Sequence, residues 1–336
     1  MNIIVCTVYL RLFITIFSCL PGPTPAITVS PVAGKRICID AGHGGTAATD
    51  FYRVGKNGER EEWINLRVAK HLQQLLEKSG AIVTMTRNTD TVVDLSLRAA
   101  VAVNMKADAF ISIHHNATAD SSVNFPIIYY HGAASENLAS VALSKQLATA
   151  FRNRFFKSET PVSVVSDYTI FPEKGAGVLR DSYGIPGVLA EASFFTNGEE
   201  ENRLKTNEHN AREAEAYFTA LETFFRSEAP PIYKKQIPTR LPVFAVLQES
   251  ERMKPEALMW RKDFEQGNVL MKRTDSLSLA TAYELFTRSA RSFPDSYVAK
   301  QCHENRAAIL HRQGKKSDAA NEKVRSREFY VNTGRK

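Results

Sequence analysis

The sequence predicts an α/β protein: a twisted, mostly parallel sheet flanked by helices on both faces, with a smaller all-α C-terminal domain. From about residue 35 to residue 225, short apolar or β-branched segments alternate with segments whose apolar residues have helical spacing. Beyond residue 242 no strand pattern recurs, and helical patterns follow one another. Strands that alternate with helices are typical of a parallel sheet covered on both sides.

The elements of the first region follow from local patterns. Ile64, Val68 and Leu72 share one face of a helix that Gly80 closes. Asp94 can cap the next helix, and Pro186 precedes a buried strand. The predicted strands cover residues 36–40, 81–86, 109–114, 127–130 and 187–192. The predicted helices cover residues 61–78, 94–105, 136–155 and 207–225.

The length of 336 residues suits two domains. We expect a first domain over residues 33–227, a proline-containing linker over 228–242 and a helical domain over 243–336. The predicted C-terminal helices cover residues 244–270, 276–293, 295–313 and 315–330. Their pattern loosely resembles tetratricopeptide helix pairs, but a plain helical bundle explains it equally well.

Basic charge is concentrated in the C-terminal part. Residues 229–336 hold 21 Lys and Arg against 12 Asp and Glu, whereas the preceding residues are close to neutral. Such an excess attracts anionic partners through plain electrostatics. No zinc finger or aromatic-rich RNA motif accompanies it, so we expect no specific nucleic-acid partner. Helix pairs often bind peptides or proteins, so a protein partner for these helices is one interpretation, and attraction of an anionic polymer is another.

The first 26 residues are predicted to be a signal peptide. An apolar stretch ends at a run of prolines and small residues, as secretory leaders do, and Arg11 interrupts it too early for a membrane anchor. The protein is therefore expected to be exported to the periplasm or cell envelope and not to be an integral membrane protein. Lipidation of Cys19 is an alternative. Cys38 is expected to be a buried apolar side chain.

Two histidines stand at the ends of predicted strands. His43 follows the first strand in the run DAGHGG, and His114 ends the strand that begins at Ala109. Open α/β sheets place their chemistry at the carboxyl ends of strands. A catalytic zinc ion needs three protein ligands and one open position, so a carboxylate should be the third ligand. Glu59, Glu61 and Glu62 all lie near the start of a helix, where the backbone favours negative charge.

Several blocks, in order, resemble the zinc-dependent N-acetylmuramoyl-L-alanine amidases of the type-3 group. Residues 37–45 (ICIDAGHGG) are similar to the first ligand motif of that family, and residues 61–66 (EEWINL) to its glutamate helix. Residues 112–117 (SIHHNA) are similar to its second histidine block, and residues 186–197 (PGVLAEASFFTN) to its closing block. The resemblance spans roughly residues 35–225.

The resemblance implies roles for particular residues. His43, Glu61 and His114 would bind one catalytic Zn²⁺, and Glu191 would be the catalytic carboxylate. Arg180 and Asn116 would contact the substrate, although Arg180 could instead be a packing residue. The implied reaction is hydrolysis of the amide bond between N-acetylmuramic acid and the L-alanine of the stem peptide in peptidoglycan.

Some alternatives stay open. The family usually has a small residue where this chain has His115, which could compete as a ligand, line the substrate groove or point to the other face of its strand. A non-catalytic wall-binding or scaffold protein and a zinc peptidase that cleaves within the stem are the competing functions. We expect deletion of residues 240–336 to leave the hydrolysis of small soluble muropeptides intact.

Overall fold

A single six-stranded sheet forms the centre of the protein. The structure, a computed structural model, describes residues 29–49, 51–237, 240–247, 249–252, 254–273 and 275–333. The strand order is β2-β1-β3-β6-β4-β5, and all neighbouring strands are parallel except β6 and β4. The strands are β1 (Arg36–Ala41), β2 (Ile82–Met85), β3 (Ala109–Asn116), β4 (Ile127–Tyr130), β5 (Ser163–Ser166) and β6 (Gly187–Phe194). The predicted α/β fold with a mostly parallel sheet is confirmed.

Helices cover both faces of the sheet. The helices before residue 225 are α1 (Glu61–Lys78), α2 (Leu95–Asn104), α3 (Leu138–Ala150), α4 (Gly177–Asp181), α5 (Gly198–Leu204) and α6 (Asn207–Phe224). Apolar side chains of α1, α3 and α6 form one core with the first sheet face. Those of α2 and α4 join a second core on the opposite face. The sequence prediction missed β5, α4 and α5. The two helices span too few residues to show a helical period.

Within the described residues, five α-helices follow residue 242. They are α7 (Glu249–Arg252), α8 (Trp260–Leu270), α9 (Ser276–Ser292), α10 (Ala299–Arg312) and α11 (Lys316–Glu328). The predicted all-α character of this region is confirmed. None of the described helices combines the length and the apolar character that crossing a bilayer requires. The predicted signal peptide, residues 1–26, lies outside the described residues.

The C-terminal helices pack directly on the sheet. Trp260 and Phe286 belong to the same apolar core as Phe110 and Phe194 of the sheet. The ring of Phe293 lies 5.9 Å from that of Phe125, centroid to centroid. After α11 the chain runs antiparallel beside β5, where the Val331 amide donates to the Val164 carbonyl (2.9 Å) and the Ser166 amide to the Phe329 carbonyl (2.8 Å). The helical region and the sheet therefore share one hydrophobic core.

Candidate metal centre

The candidate site lies where β1 and β3 end beside the start of α1. His43 follows β1, His114 is near the end of β3, and Glu61 is the first residue of α1. The Glu61 carboxylate lies between the two rings, with Oε2 3.0 Å from His43 Nε2 and Oε1 2.9 Å from His114 Nδ1. In the described part of the chain, these three residues form the one group whose donor atoms could converge on a metal ion.

The donor set of the trio suits a zinc ion. Zinc in proteins is bound by imidazole nitrogen and carboxylate oxygen, and these are the donors that the three side chains offer. Two of the separations are 3.0 and 2.9 Å, and all three donor atoms lie within 4.8 Å of one another. Burial alone would raise the pKa of Glu61, but the two histidine rings outweigh it and hold this pKa well below its ordinary value. The carboxylate is thus ionised, as a metal ligand must be.

Of the three neighbouring glutamates, only Glu61 enters this site. Glu62 accepts a hydrogen bond from Arg60 Nε (2.7 Å), and Glu59 forms an ion pair with Arg67 (3.1 Å). Both are buried in these other contacts. Residue spacing left the choice among these three glutamates open. The contacts of Glu59 and Glu62 with arginines leave Glu61 as the one that faces the two histidines.

A strained loop brings His43 to the site. His43 has a φ of 57°, a left-handed conformation that non-glycine residues rarely adopt. Two buried arginines hold this loop through its carbonyl groups. Arg87 donates to the carbonyls of Ala41 (2.7 Å) and Gly42 (2.9 Å), and Arg98 donates to that of His43 (2.6 Å). Such fixed contacts can offset the cost of the strained conformation.

Asp40 holds Arg98 in place. Its carboxylate is fully buried and accepts from Arg98 Nη1 (2.8 Å), Thr86 (2.6 Å) and Ser112 (2.7 Å). Burial alone would raise the pKa of Asp40, but Arg98 and the two hydroxyl groups lower it below its usual value. The aspartate of the DAGHGG run is therefore a support for the loop that carries His43.

His115 points away from the trio, to the opposite face of β3. Its Nδ1 lies 2.8 Å from Asn65 Oδ1 and its Nε2 lies 2.9 Å from Glu213 Oε2, and the side chain is completely buried. Burial alone would lower the pKa of His115, but the Glu213 carboxylate raises it above its ordinary value. His115 is thus held in a buried contact with Glu213 and is not a side chain of the metal centre.

Asn65 connects this buried pair to the metal centre. Its Nδ2 donates to Glu61 Oε1 (3.3 Å) and to the Gly42 carbonyl (3.2 Å). The Asn65 oxygen faces His115 Nδ1 (2.8 Å), so its amide nitrogen faces Glu61 and Gly42. Contacts of this kind orient the ligands of a metal and tune its affinity.

Glu191 lies beside the trio on β6. It pairs in register with His114, so the two side chains leave neighbouring strands on the same face. In the described part of the chain, no donor reaches the buried Glu191 Oε2. Burial raises the pKa of Glu191 to about 8, and the charges of Glu61 and Asp295 act in the same direction while the His114 ring opposes them.

The geometry does not place Arg180 or Asn116 in contact with the trio. Arg180 Nε donates to Asp181 (2.8 Å), and about a third of its side chain is exposed. The Asn116 side chain accepts from the Ala117 amide (2.8 Å) at the end of β3. Substrate binding by these two residues stays a prediction.

Sequence reasoning missed Glu201, which fixes the turn before α1. This buried carboxylate accepts from the amides of Asn57 (2.8 Å) and Glu59 (3.1 Å). A Cβ on Gly55 would lie 2.4 Å from it, so only glycine fits there. Glu201 comes 140 residues after Glu61, and no local pattern connects the two.

The region that contains the candidate metal centre is similar in sequence to known amidases. The model of the family described as "N-acetylmuramoyl-L-alanine amidase" (Amidase_3) matches residues 37–223. The N-acetylmuramoyl-L-alanine amidase LytC of Bacillus subtilis is 31% identical over 215 residues, which are 61% of this chain and 40% of LytC. The probable cell wall amidase LytH of Staphylococcus epidermidis is 31% identical over 208 residues, 60% of this chain and 62% of LytH.

A solved structure with the same fold is that of the CwlD amidase from Clostridioides difficile, determined in complex with the GerS lipoprotein. Its TM-score is 0.51 with 26% identity, over 58% of this chain and all of the CwlD chain. The chain spans less than two thirds of the length of LytC and LytH. The family match nevertheless covers more than half of this chain and contains His43, Glu61, His114 and Glu191. The chain therefore belongs to the Amidase_3 family of N-acetylmuramoyl-L-alanine amidases.

Proposed function

We propose that this protein is a zinc-dependent amidase that hydrolyses the bond between N-acetylmuramic acid and the L-alanine of the peptidoglycan stem. Family membership over residues 37–223 supports this reaction class. The observation that carries the proposal is Glu191 Oε2, which has no donor within the described residues and stands beside three side chains that could hold a metal ion. A wall-binding scaffold would not need an unpaired carboxylate at this position.

His43, Glu61 and His114 would hold the zinc ion. The bound ion supplies Lewis acidity and lowers the pKa of a water molecule towards about 7. Glu191 accepts the proton of the attacking water at Oε2 and returns it to the leaving nitrogen of L-alanine. Burial raises the pKa of Glu191 to about 8, whereas a nearby cation acts in the opposite direction. The carboxyl group can therefore both take up and release a proton near neutral pH.

We further propose that the protein acts in the cell envelope, where peptidoglycan is found. Arg180 and Asn116 remain our candidates for substrate contacts. The exposed part of the Arg180 guanidinium can pair with a stem-peptide carboxylate if Asp181 releases it. Cleavage within the stem is the alternative that product analysis must separate from amidase activity.

The decisive experiment is mass spectrometry of the products from purified muropeptides. Zinc-loaded protein should release free stem peptides and leave the glycan intact. Glu191→Gln keeps the shape of the side chain but removes the proton acceptor, so we expect a rate about 10²–10⁴-fold lower. Glu199→Gln is the matched control, because this glutamate is exposed on α5, the helix that follows the same strand.

Measuring the zinc content of each variant shows whether a loss of activity comes from a loss of metal. Glu191→Gln should bind zinc as the unaltered protein does, since Glu191 is not one of the three ligands. Cleavage at another bond of the stem would change the assignment to a peptidase. Zinc-loaded protein that cleaves no muropeptide would contradict the proposal and favour a wall-binding role.

A further inference from the structure

A large groove lies between the first domain and the C-terminal helices, and none of the four catalytic-site residues lines it. We call it the α3–α10–α11 groove, after the three helices that form most of its walls. Its volume is about 1360 Å³. Pockets for small molecules usually measure about 300–1,000 Å³. The groove is therefore large enough for a segment of polypeptide.

The walls of the groove are apolar and built largely from small side chains. Leu138 and Val141 come from the α3 side, Ala307 and Ala308 from α10, and Ala320 from α11. Alanine side chains leave room for the larger side chains of a bound segment. This part of the surface can accept apolar groups such as leucine.

Basic side chains surround this apolar surface. Five lysine or arginine residues and two glutamates line the groove. Both glutamates are already paired, Glu304 with Lys300 and Glu328 with Arg327 at 2.7 Å. For Lys145, Lys316 and Lys323, the described residues provide no carboxylate within ion-pair distance. The three lysines are exposed and remain available to an acidic partner.

We propose that the α3–α10–α11 groove docks an acidic, amphipathic peptide segment of a partner protein. Apolar side chains of that segment would pack on Leu138 and the alanines, and its Asp or Glu residues would pair with Lys316 and Lys323. The apolar walls distinguish this partner from a purely anionic polymer, which would gain nothing from them. The lysines distinguish it from a neutral peptide.

The test measures fluorescence anisotropy with the full chain and a labelled peptide that carries Leu at i, i+3, i+4 and i+7 and Glu elsewhere. The double variant Lys316→Glu/Lys323→Glu should weaken binding about tenfold or more, because it replaces attraction with repulsion. Ala320→Trp should weaken it by filling the groove. The control is Lys262→Glu/Lys272→Glu, which makes the same charge change at exposed lysines of the same helical region outside the groove.

Thermal unfolding checks that each variant is folded, and the assay does not depend on hydrolysis. Absence of measurable binding by the unaltered protein would overturn the proposal. Equal binding of poly-L-glutamate, with no effect of Ala320→Trp, would show a general anion surface instead. Tighter binding of a single-stranded oligonucleotide than of the peptide would assign the groove to nucleic acid. If the control variant lost as much peptide affinity as Lys316→Glu/Lys323→Glu, the effect would come from the net charge of the protein and not from the groove.

Discussion

Gly42 controls how closely the His43 loop approaches His114. A Cβ at this position would lie 2.3 Å from two atoms of the His114 ring. Because the ring also contacts Glu61, it cannot move without disturbing the ligand arrangement. Gly42 is therefore needed for the position of the His114 ring as well as for the turn.

We expect Gly42→Ala to lower zinc affinity about tenfold or more, since displaced ligands and their supports typically cost 10–100-fold. Competition with a chromogenic chelator measures this affinity. Gly198→Ala is the control, because no atom lies within 4 Å of the Cβ that it would add. Equal zinc affinity in both variants, with the folds intact, would contradict this account of Gly42.

At the scale of single elements, α5 shows how a short helix joins distant parts of the chain. Glu200 is buried and accepts hydrogen bonds from Arg203 (2.6 Å) and Asn124 (3.1 Å), and it pairs with His209 (3.1 Å) of α6. Burial alone would raise the pKa of Glu200, but His209 and Arg203 outweigh it and lower this pKa to about 2.

This shift makes stability depend on pH. A carboxylate whose pKa is lower in the folded than in the unfolded protein stabilises the fold above its ordinary pKa of about 4.5. That contribution, on the order of 3 kcal/mol, is lost as the pH falls from about 4.5 to about 2. In Glu200→Gln the free energy of unfolding should therefore be lower at neutral pH and should fall less steeply in acid.

Denaturant unfolding at a series of pH values measures this difference. Glu199→Gln is the natural comparison, since Glu199 is the exposed neighbour on the same helix. If Glu200→Gln and Glu199→Gln lose stability in acid with the same slope, the buried network around Glu200 does not contribute as described.

On the scale of the whole molecule, the C-terminal helices are part of the folded core. Phe293 contacts Phe125, Phe194 and Trp260, with ring centroids 5.9, 6.3 and 5.0 Å away. Tyr129 of β4 donates a hydrogen bond to Asp295. Removal of residues 240–336 would take away Phe293 and Trp260 and would expose Phe125, Phe194 and the outer edge of β5 to water.

We therefore expect the truncated protein to unfold at a lower temperature and to bind a hydrophobic dye. The sequence alone predicted only that this deletion leaves the hydrolysis of small soluble muropeptides intact. Phe293→Ala in the full chain tests the same contact with less disruption, and we expect it to cost about 3–5 kcal/mol of stability. Scanning calorimetry measures both proteins. A truncated protein with unchanged melting temperature and full muropeptide hydrolysis would show that the two regions are independent.

The sequence by itself determined the alternation of strands and helices, because apolar periodicity is a local property of the chain. It also determined which residues could form the metal centre. His43 follows one predicted strand and His114 ends another, and the carboxyl ends of parallel strands meet at one edge of a sheet. The blocks similar to a known family then selected Glu61 and Glu191 from several carboxylates.

Only the tertiary structure decided which side chains meet over long distances. Alternation along a strand shows that His114 and His115 face opposite sides, but it does not show that Glu213, 98 residues later, contacts His115. Glu59 and Glu62 were separated from Glu61 by their partners Arg67 and Arg60. The packing of the C-terminal helices on the sheet, and the groove that it creates, depend in the same way on contacts between residues far apart in sequence, for which no local pattern exists.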